Sequence, residues 1–339
     1  MIRLEEAARE LGVSKSTVSR AMSGKGRISE ETRERVRSYI REHGGMEEKK
    51  KSCGQTQNIA VVIPSDAYLI SIPFFQECLL GISEMASMLE YNVMIAIGSP
   101  TDASNIQALV EKKIVDGIIL MRNVEGDSVL QYLVEQHFPT AMVGSCEYRE
   151  VIQVDSDNRV ASETLISLLI RQGYRHFAMV LGDSTYEVNK DRCHGFYDAL
   201  EKSGLPAEHQ KIYPNVTNVQ MINSIISDIF AGKIECIVCG DDVLCTQMVS
   251  ALQAEGYRIP KDVSIVSLCN SINLDCFSPA VTAINVSARK LGNVAGKQLI
   301  SYLKGETYNA KTTVEFEMML RKSVGKIYQG QEERINRCI

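Results

Sequence analysis

Residues 4–24 read LEEAARELGVSKSTVSRAMSG, and this stretch decides the fold of the N-terminal region. Its first apolar residues recur at helical spacing on one face: Leu4, Ala7, Ala8 and Leu11. With charged residues on the opposite face, this spacing predicts a short amphipathic helix over residues 4–11. Gly12 suits the left-handed conformation that ends a helix, and Ser14 is a good N-cap for a second helix with Thr17 at its third position. The stretch therefore predicts two helices joined by a tight turn.

The second predicted helix is polar and basic on its outward face, which carries Lys15, Ser16, Ser19 and Arg20. After a loop rich in Gly and Lys, Ser29 caps a third predicted helix over residues 30–43. Two helices joined by a tight turn, with the second one basic and exposed, are typical of the helix-turn-helix that lays a recognition helix in the DNA major groove. An ordinary helical hairpin with solvated charges has the same spacing, so the spacing alone leaves both alternatives open.

Two segments of this region, residues 13–24 and 28–36, resemble the headpiece of lactose-repressor-type (LacI/GalR) transcription regulators. The family pattern of G-V-S, T-V-S-R and V-S-x-x-T-R-x-x-V falls at matching spacing over about 35 residues. The resemblance implies binding to double-stranded operator DNA, with Lys15 and Ser16 selecting bases and Arg20 reaching a base edge. It also implies that four residues hold phosphates or flank the groove: Ser14, Thr17, Ser19 and Arg27.

The composition of the 339-residue chain is that of an ordinary globular protein, with 45% hydrophobic residues and a net charge of −5. The charge is uneven, because residues 1–51 contain 13 Lys or Arg against 9 Asp or Glu, whereas the remainder is acidic. No apolar run approaches the ~20 residues that span a bilayer, and the N-terminus lacks the pattern of a signal peptide. We therefore expect a cytoplasmic protein of two or three domains, with no membrane segment and with ten reduced cysteines.

From Asn58 onward, short β-rich runs alternate with amphipathic helical stretches, which predicts doubly wound parallel sheets. The alternation restarts after Asp155, so two similar lobes are expected. Short motifs in this region resemble, in order, the effector domain of the same family, which is itself similar to periplasmic sugar-binding proteins. The motifs include Pro73-Phe74-Phe75, Asp157-Asn158-Arg159, Arg192-Cys193-His194-Gly195-Phe196, Asp241-Asp242 and Ser278-Pro279-Ala280-Val281-Thr282. The expected fold is an all-α helix-turn-helix headpiece followed by a two-lobed, periplasmic-binding-protein-like α/β domain.

These patterns divide the chain into four regions. Residues 1–45 form the headpiece, and residues 46–57 form a charged linker without the Leu that the family's hinge helix inserts into the minor groove. Residues 58–325 form the effector-binding and dimerisation domain, and residues 326–339 form a polar tail. The resemblance implies three crossings between lobes, which assigns about 58–156 and 287–311 to the first lobe and about 157–286 and 312–325 to the second.

The resemblance further implies a small metabolite, by analogy a sugar, in the cleft between the lobes. Five residues are candidates for binding this effector: Phe74, Asp157, Arg192, Asp242 and Cys269. Arg offers a fork of donors, a carboxylate accepts two hydroxyls, and Phe offers a ring face. Arg192 falls in the first turn of a helix predicted from Lys190, where the helix dipole disfavours a cation, and this favours a functional role. Helix capping by Asp242 and core packing of Phe74 remain alternatives. Cys269 replaces a carboxylate that often grips sugar hydroxyls in the family, which weakens the usual sugar chemistry.

Enzyme and metal sites have little support in the sequence. The pair Cys236-x-x-Cys239 invites a metal or redox interpretation, but it lies on a predicted strand, where positions three apart face opposite sides. The sequence contains no G-x-S-x-G elbow, H-E-x-x-H run, P-loop or Gly-rich dinucleotide fingerprint after a strand. We therefore expect neither catalysis nor a cofactor or metal.

The prediction from sequence is a repressor that binds an inverted-repeat operator as a homodimer and responds to a sugar-like metabolite. A dimer is expected because one headpiece makes too few base contacts, and two headpieces read two half-sites. Two alternatives stay open. One is a sugar-binding module with a vestigial headpiece, and the other is a DNA-binding dimer whose body binds no effector.

Overall fold

The computed structural model of the protein describes residues 4–14, 17–18, 21, 29–42, 56–65 and 72–325. The chain separates into two compact units, Met1–Gln55 and Thr56–Ile339. Within the described ranges, no helix is both long enough and apolar enough to cross a bilayer.

The N-terminal unit begins with the predicted helix and turn. Helix α1 spans Leu4–Leu11 and ends at Gly12, whose φ of 66° lies in the left-handed region that glycine tolerates. The Ser14 hydroxyl then accepts a hydrogen bond from the backbone N–H of Thr17 at 3.1 Å. This bond is the predicted N-cap, and it starts the second helical segment.

Helix α2 of the same unit spans Glu30–Glu42 and begins with a second serine cap. The Ser29 hydroxyl accepts a hydrogen bond from the backbone N–H of Thr32 at 3.2 Å. A small apolar core of buried residues joins the helical segments: Ala8, Val18, Ala21 and Val36. The expected helix end at Gly44-Gly45 and most of the expected linker lie outside the described residues.

The C-terminal unit alternates strands and helices, as predicted. Its strands are β1 (Asn58–Pro64), β2 (Asn92–Gly98), β3 (Gly117–Leu120), β4 (Thr140–Val143), β5 (Ile152–Asp155), β6 (Phe177–Val180), β7 (Lys211–Tyr213), β8 (Cys236–Cys239), β9 (Ser264–Ser267), β10 (Thr282–Val286), β11 (Lys311–Thr313) and β12 (Phe316–Met319). Its helices are α3 (Pro73–Met88), α4 (Ser104–Glu111), α5 (Ser128–Glu135), α6 (Asn158–Arg171), α7 (Glu187–Lys202), α8 (Val219–Ala231), α9 (Asp242–Ala254), α10 (Ile272–Asp275) and α11 (Ala288–Leu303).

The strands form two six-stranded sheets, one in each lobe. The first has the order β11-β5-β4-β3-β1-β2 and is parallel throughout. The second has the order β12-β10-β9-β8-β6-β7 and is parallel except for the edge strand β12, which pairs antiparallel with β10. Each sheet has an apolar cluster on both of its faces. Central strands such as β3 and β8 are therefore fully buried. This arrangement confirms the expected two-lobed α/β architecture.

The chain crosses between the lobes after β5, after β10 and after β11. The third crossing lies later than expected, because Thr312 and Thr313 pair with Val154 and Asp155 in the first sheet. The assignment of residues 312–325 to the second lobe was therefore wrong for the first two residues. The second sheet resumes only at β12, where Phe316 pairs with Val286.

Several local features differ from the expectation. Helix α5 and strands β5 and β7 were not anticipated, and α7 begins at Glu187 rather than Lys190. Two residues assigned to the linker are bound to the body: the backbone N–H groups of Thr56 and Gln57 each donate to the Asp116 carboxylate at 2.7 Å. These long-range bonds tie the start of β1 to the turn before β3, which a local pattern cannot reveal.

Candidate functional site

Two of the seven residues predicted to bind DNA fall within the described ranges. Ser14 is exposed and Thr17 is half-buried, and their hydroxyl oxygens lie 2.8 Å apart at the start of the second helical segment. Val18 and Ala21 of this segment are fully buried in the headpiece core. The other five residues lie outside the part of the chain that the structure describes, so their contacts stay a prediction: Lys15, Ser16, Ser19, Arg20 and Arg27.

The body contains a cavity of about 530 Å³ between its two lobes. The first lobe lines it with residues at or just beyond strand ends, including Met121, Val143 and Asp155. The second lobe does the same with Gly182 and Cys269. Open α/β sheets bind ligands at the carboxyl ends of their parallel strands, and this volume suits a small metabolite. The cavity is therefore the candidate effector site.

Arg192 lines this cavity from helix α7. Its backbone carbonyl accepts a hydrogen bond from the Ser162 hydroxyl at 2.7 Å, which anchors α7 against α6. Its Nε atom is buried and has no hydrogen-bond partner among the described residues. Because α7 begins at Glu187, Arg192 lies in the second turn, and the helix-dipole argument made from the sequence was wrong. The buried, unsatisfied donor is a stronger reason to assign Arg192 a ligand.

Cys269 and Asp242 lie near the Arg192 side chain. Cys269 lines the cavity, and burial raises the pKa of its thiol to about 12, against the opposing charge of Arg192, so the thiol is neutral at pH 7. Asp242 is 1% exposed at the start of α9 and is not part of the cavity wall. Burial raises the pKa of its carboxyl, while the hydroxyl of Ser271 and the charge of Arg192 act in the opposite direction. Asp242 therefore lies behind the cavity wall and not on it, where an effector ligand would be.

Phe74 lines the cavity, and its contact with an effector stays a prediction. It is the second residue of α3, after Pro73 at the first helical position, and it is half-buried. Its ring packs edge to face on Phe75 with centroids 5.7 Å apart, and both rings pack against the core of the first lobe. Phe74 thus combines the two roles considered for it, cavity wall and core packing.

Asp157 does not line the cavity, which corrects its assignment as an effector ligand. Its carboxylate caps α6 by accepting a hydrogen bond from the Val160 backbone N–H at 2.9 Å, and the residue is exposed. Its chain neighbours Asp155, Ser156 and Asn158 line the cavity instead. The acidic residue of this segment that lines the cavity is therefore Asp155, two residues before Asp157.

Six acidic residues line the cavity, and two of them that the sequence analysis missed, Asp155 and Asp191, come from opposite lobes and have raised pKa values. Asp155 is the last residue of β5, and burial raises its pKa from 3.8 to about 6, with the charges of Asp191 and Asp157 acting in the same direction. Asp191 lies on α7, and burial and the charge of Glu187 raise its pKa. The strand-end position of Asp155 was a usable signal. Asp191 carried no such signal, because only the packing of α7 brings it to the cleft.

Amide side chains complete the polar wall of the second lobe. The Asn270 amide donates to the Asn285 side-chain oxygen at 3.2 Å, and its own oxygen accepts from Arg321 Nη1 at 2.9 Å. Both Asn270 and Asn285 line the cavity. Asn270 follows β9 and Asn285 lies near the end of β10, so they share the strand-end signal of Asp155. Together with Arg192, these amides give the cleft both donors and acceptors for hydroxyl groups.

The two cysteines of the Cys236-x-x-Cys239 pair lie on opposite faces of the second sheet. Cys236 packs into the apolar cluster with Phe177 and Phe196, whereas Cys239 packs into the cluster with Leu244 and Cys245 on the other face of the sheet. Side chains on opposite faces cannot chelate one ion. No group of three or more His, Cys, Asp or Glu side chains suited to a metal occurs among the described residues.

Comparisons with known proteins agree with this architecture. Residues 3–44 match the bacterial regulatory proteins of the lacI family, and residues 166–324 match the periplasmic binding protein-like domain. The chain is 26% identical over 333 residues to the HTH-type transcriptional regulator RegA of Clostridium saccharobutylicum, covering 94% of this chain and 98% of that protein. It is 32% identical over 219 residues to the HTH-type transcriptional regulator MalR of Streptococcus pneumoniae, covering 62% of this chain and 66% of that protein.

A solved structure supports the same assignment. The probable maltose operon transcriptional repressor malR of Staphylococcus aureus has a TM-score of 0.74 and 25% identity, covering 79% of this chain and 98% of that chain. The headpiece match, the two-lobed body and the long aligned relatives lead to one conclusion. The chain belongs to the LacI family and is a DNA-binding transcription regulator, not an enzyme.

Proposed function

We propose that this regulator is a repressor that binds an inverted-repeat operator as a homodimer and responds to a sugar-like metabolite in the cleft. The observation that carries the proposal is the cavity of about 530 Å³ at the strand ends of both lobes. A ligand that contacts both lobes favours the lobe arrangement that fits it best, and this differential affinity shifts the conformational equilibrium. The cavity thus supplies what a ligand-responsive regulator needs.

The DNA-binding part of the proposal is supported by the two serine caps and the small core of the headpiece. We assign base selection to Lys15 and Ser16, and a further base-edge contact to Arg20, because Lys and Arg donate well to guanine O6 and N7. We assign four residues to phosphate contacts or to positions that flank the groove: Ser14, Thr17, Ser19 and Arg27. One such headpiece contacts few base pairs, so a second copy is needed for operator specificity.

An exposed apolar edge supports the homodimer. Strand β2 is an edge of the first sheet, and Ile95 and Ile97 on one of its faces are 58% and 54% exposed. Residues two apart on a strand point to the same side, so the two side chains form one apolar strip. Apolar side chains on an open sheet edge are prone to association unless a partner covers them. We assign this strip to the dimer interface.

The effector assignment rests on the chemistry of the cavity wall. Arg192 and Asn270 offer donors, Asp155 and Asp191 offer acceptors, and Phe74 offers a ring face. This mixture suits a neutral, hydroxyl-rich ligand with one apolar side. Cys269 contributes packing more than hydrogen bonding, because its thiol stays protonated and is a weak donor. The similar Staphylococcus aureus protein is described as a probable maltose operon transcriptional repressor, which favours both repression and a sugar for this chain.

The DNA-binding proposal is tested by selecting genomic fragments with the purified full-length protein at two salt concentrations. We expect enrichment of one inverted repeat and a steep loss of affinity with salt, because phosphate contacts release counterions. Arg20→Ala should lower the preference for the selected operator over random DNA. Arg171→Ala, which removes an exposed Arg of the body, is the control of equal charge and should leave that preference unchanged. Salt-sensitive binding without an enriched motif would favour a vestigial headpiece.

The effector proposal is tested on the selected operator with a panel of neutral mono- and disaccharides that includes maltose and cellobiose. Fluorescence anisotropy of labelled DNA reports any sugar-dependent change in affinity. We expect at least one sugar to change operator affinity, Arg192→Ala to abolish the response, and Arg171→Ala to retain it. If no sugar alters operator binding or the thermal stability of the protein, the body serves dimerisation alone and the effector assignment is wrong.

A further inference from the structure

The two lobes contact each other directly at one side of the cleft, in addition to the covalent crossings. Val124 of the first lobe and Tyr186 of the second form an isolated antiparallel bridge. The Glu125 backbone N–H donates to the Thr185 carbonyl at 3.0 Å, and the Glu187 N–H donates to the Asn123 carbonyl at 3.2 Å. Residues 123–125 and 185–190 together form the interlobe clasp.

One clasp bond caps a helix across the cleft. The first N–H groups of a helix have no acceptor within the helix, and a side chain of the N-cap residue usually satisfies one of them. The N-cap of α7 is Tyr186, which provides no capping side-chain bond. The Glu187 N–H at the first helical position instead donates to Asn123 of the other lobe. Separation of the lobes therefore removes a cap from α7.

An ion pair joins the same two segments. Lys190 Nζ lies 2.8 Å from Glu125 Oε2 in the first lobe and 2.8 Å from Glu187 Oε1 on its own helix. The hydrogen bond and charge of Lys190 lower the pKa of Glu125, and the two carboxylates raise the pKa of Lys190. Both Glu125 and Lys190 therefore remain charged near neutral pH, and the attraction across the cleft persists there.

The acceptor side of the clasp is held rigidly by the first lobe. Arg122 is 4% exposed, and its Nε lies 3.0 Å from Asp127 Oδ2, while its Nη1 donates to the Gly98 carbonyl. The other oxygen of Asp127 caps α5 by accepting from the Val129 N–H at 2.9 Å. The Asn123 amide donates to the Ser145 carbonyl. The loop that carries the Asn123 carbonyl is thus braced on β2, on α5 and on the segment after β4.

We propose that the interlobe clasp holds the two lobes together in the absence of effector and couples the cap of α7 to lobe closure. Helix α7 also carries Arg192 and Asp191 into the cavity, five and four residues beyond the clasp bond of Glu187. A ligand that moves α7 therefore either strengthens or weakens the clasp bonds. The clasp itself requires neither sugar nor DNA, so it stands independently of the proposed function.

The clasp is tested by hydrogen exchange of the full-length protein without DNA or sugar, read at the amides of Glu125 and Glu187. Glu125→Gln should speed exchange at the Glu187 amide by about two- to fivefold, because a partly exposed ion pair contributes modestly. Glu163→Gln is the matched control, since Glu163 forms an ion pair that lies entirely within the second lobe. Its Oε1 lies 2.5 Å from Lys202 Nζ. The control should leave both amides unchanged.

A second variant removes the clasp bond without disturbing the helix. Proline fits the first helical position and lacks an N–H, so Glu187→Pro deletes the donor to Asn123 while α7 persists. The variant also removes the Glu187 carboxylate that pairs with Lys190, so it weakens the clasp at two points. We expect the Glu125 amide to exchange about tenfold faster in this variant. Val219→Pro makes the same change at the first position of α8, which Asn218 caps within its own lobe, and should have no effect on Glu125. Circular dichroism verifies that both variants are folded.

The outcomes separate clearly. Faster exchange confined to the clasp amides in Glu125→Gln and Glu187→Pro, with both controls unchanged, supports the clasp. Clasp amides that exchange as fast as free peptide in the unmodified protein, or protection that survives Glu187→Pro, overturn it. A failure of the sugar panel leaves these readouts untouched, so the two proposals stand or fall separately.

Discussion

Two aspartates near the start of α6 differ in role because their surroundings differ. Asp155 lies at the end of a buried strand and lines the cavity, whereas Asp157 is exposed and caps the helix. Burial raises the pKa of Asp155 to about 6, and the nearby carboxylates of Asp191 and Asp157 add to this effect. Desolvation and like charges both disfavour the ionised form, so this carboxylate titrates close to the physiological range.

The raised pKa of Asp155 predicts a pH dependence of stability. The folded state binds this proton more tightly than the unfolded state, so the carboxyl contributes most stability below pH 3.8 and loses that contribution as pH rises through about 6. A tenfold difference in proton affinity is worth ~1.4 kcal/mol. Between pH 7 and pH 5, we expect the unfolding free energy of the unmodified protein to rise by about 1 kcal/mol relative to Asp155→Asn.

Urea denaturation of both proteins at pH 7 and pH 5 measures this difference. The comparison with Asp155→Asn cancels the titration of groups that do not interact with Asp155, because those groups behave alike in both proteins. An unmodified protein that loses stability relative to Asp155→Asn on acidification would contradict the raised pKa.

At the scale of elements, the packing of α3 on α11 depends on one glycine in each helix, Gly81 and Gly292, that lies against the backbone of the other helix. A Cβ atom at Gly292 would lie 2.0 Å from the Cys78 carbonyl oxygen, and one at Gly81 would lie 2.1 Å from the Arg289 carbonyl oxygen. Both distances are far inside van der Waals contact, and both neighbours are backbone atoms that cannot swing aside. The close approach holds α11, which follows the second crossing, on the first lobe.

Gly292→Ala should therefore weaken the first lobe. Alanine adds helix propensity of up to about 1 kcal/mol, but overpacking costs about 1–3 kcal/mol and here displaces a whole helix. We expect a net loss of roughly 2 kcal/mol in unfolding free energy, measured by urea denaturation. Gly296→Ala, on the same helix, is the control, because its Cβ would lie 3.4 Å from the Ile82 carbonyl oxygen. If the two variants are equally stable, the close-approach argument fails.

At the scale of the whole molecule, the two lobes are discontinuous in sequence, and the cavity is shared between them. The order of the strands shows that β11 returns to the first sheet and β12 to the second. The three crossings join the lobes covalently, and the clasp adds a non-covalent contact on one side of the cleft. The apolar strip of Ile95 and Ile97 on β2 is left exposed by this arrangement.

Ile95→Lys tests the proposed dimer interface. Burying an unpaired ammonium against an apolar partner is costly, so the variant should be monomeric where the unmodified protein is dimeric, as measured by analytical ultracentrifugation. Operator affinity should fall with it, because two headpieces are needed for two half-sites. Val160→Lys, at a 44% exposed position on α6, is the matched control and should stay dimeric. An Ile95→Lys protein that remains dimeric would place the interface elsewhere.

The fold was predictable over most of its length because its signals are local. Helix spacing and serine caps predicted α1, the turn at Gly12 and the start of α2. Strands such as β1 and β2 were predicted with their observed bounds from continuous apolar runs. Short or edge elements such as β7 were missed, because its three residues are only half-buried and give no apolar run.

The sequence by itself determined the headpiece motif, the doubly wound lobes and the family, because each depends on residues close together in the chain. Only the tertiary structure decided which side chains share the cleft. It places Phe74, Arg192 and Cys269 on the cavity wall, Asp157 at a helix cap and Asp242 behind the wall, and it adds Asp155 and Asp191 to the wall. The physical reason is that burial, pKa and the interlobe clasp arise between residues far apart in sequence, and the packing of α7 across the cleft has no local signature.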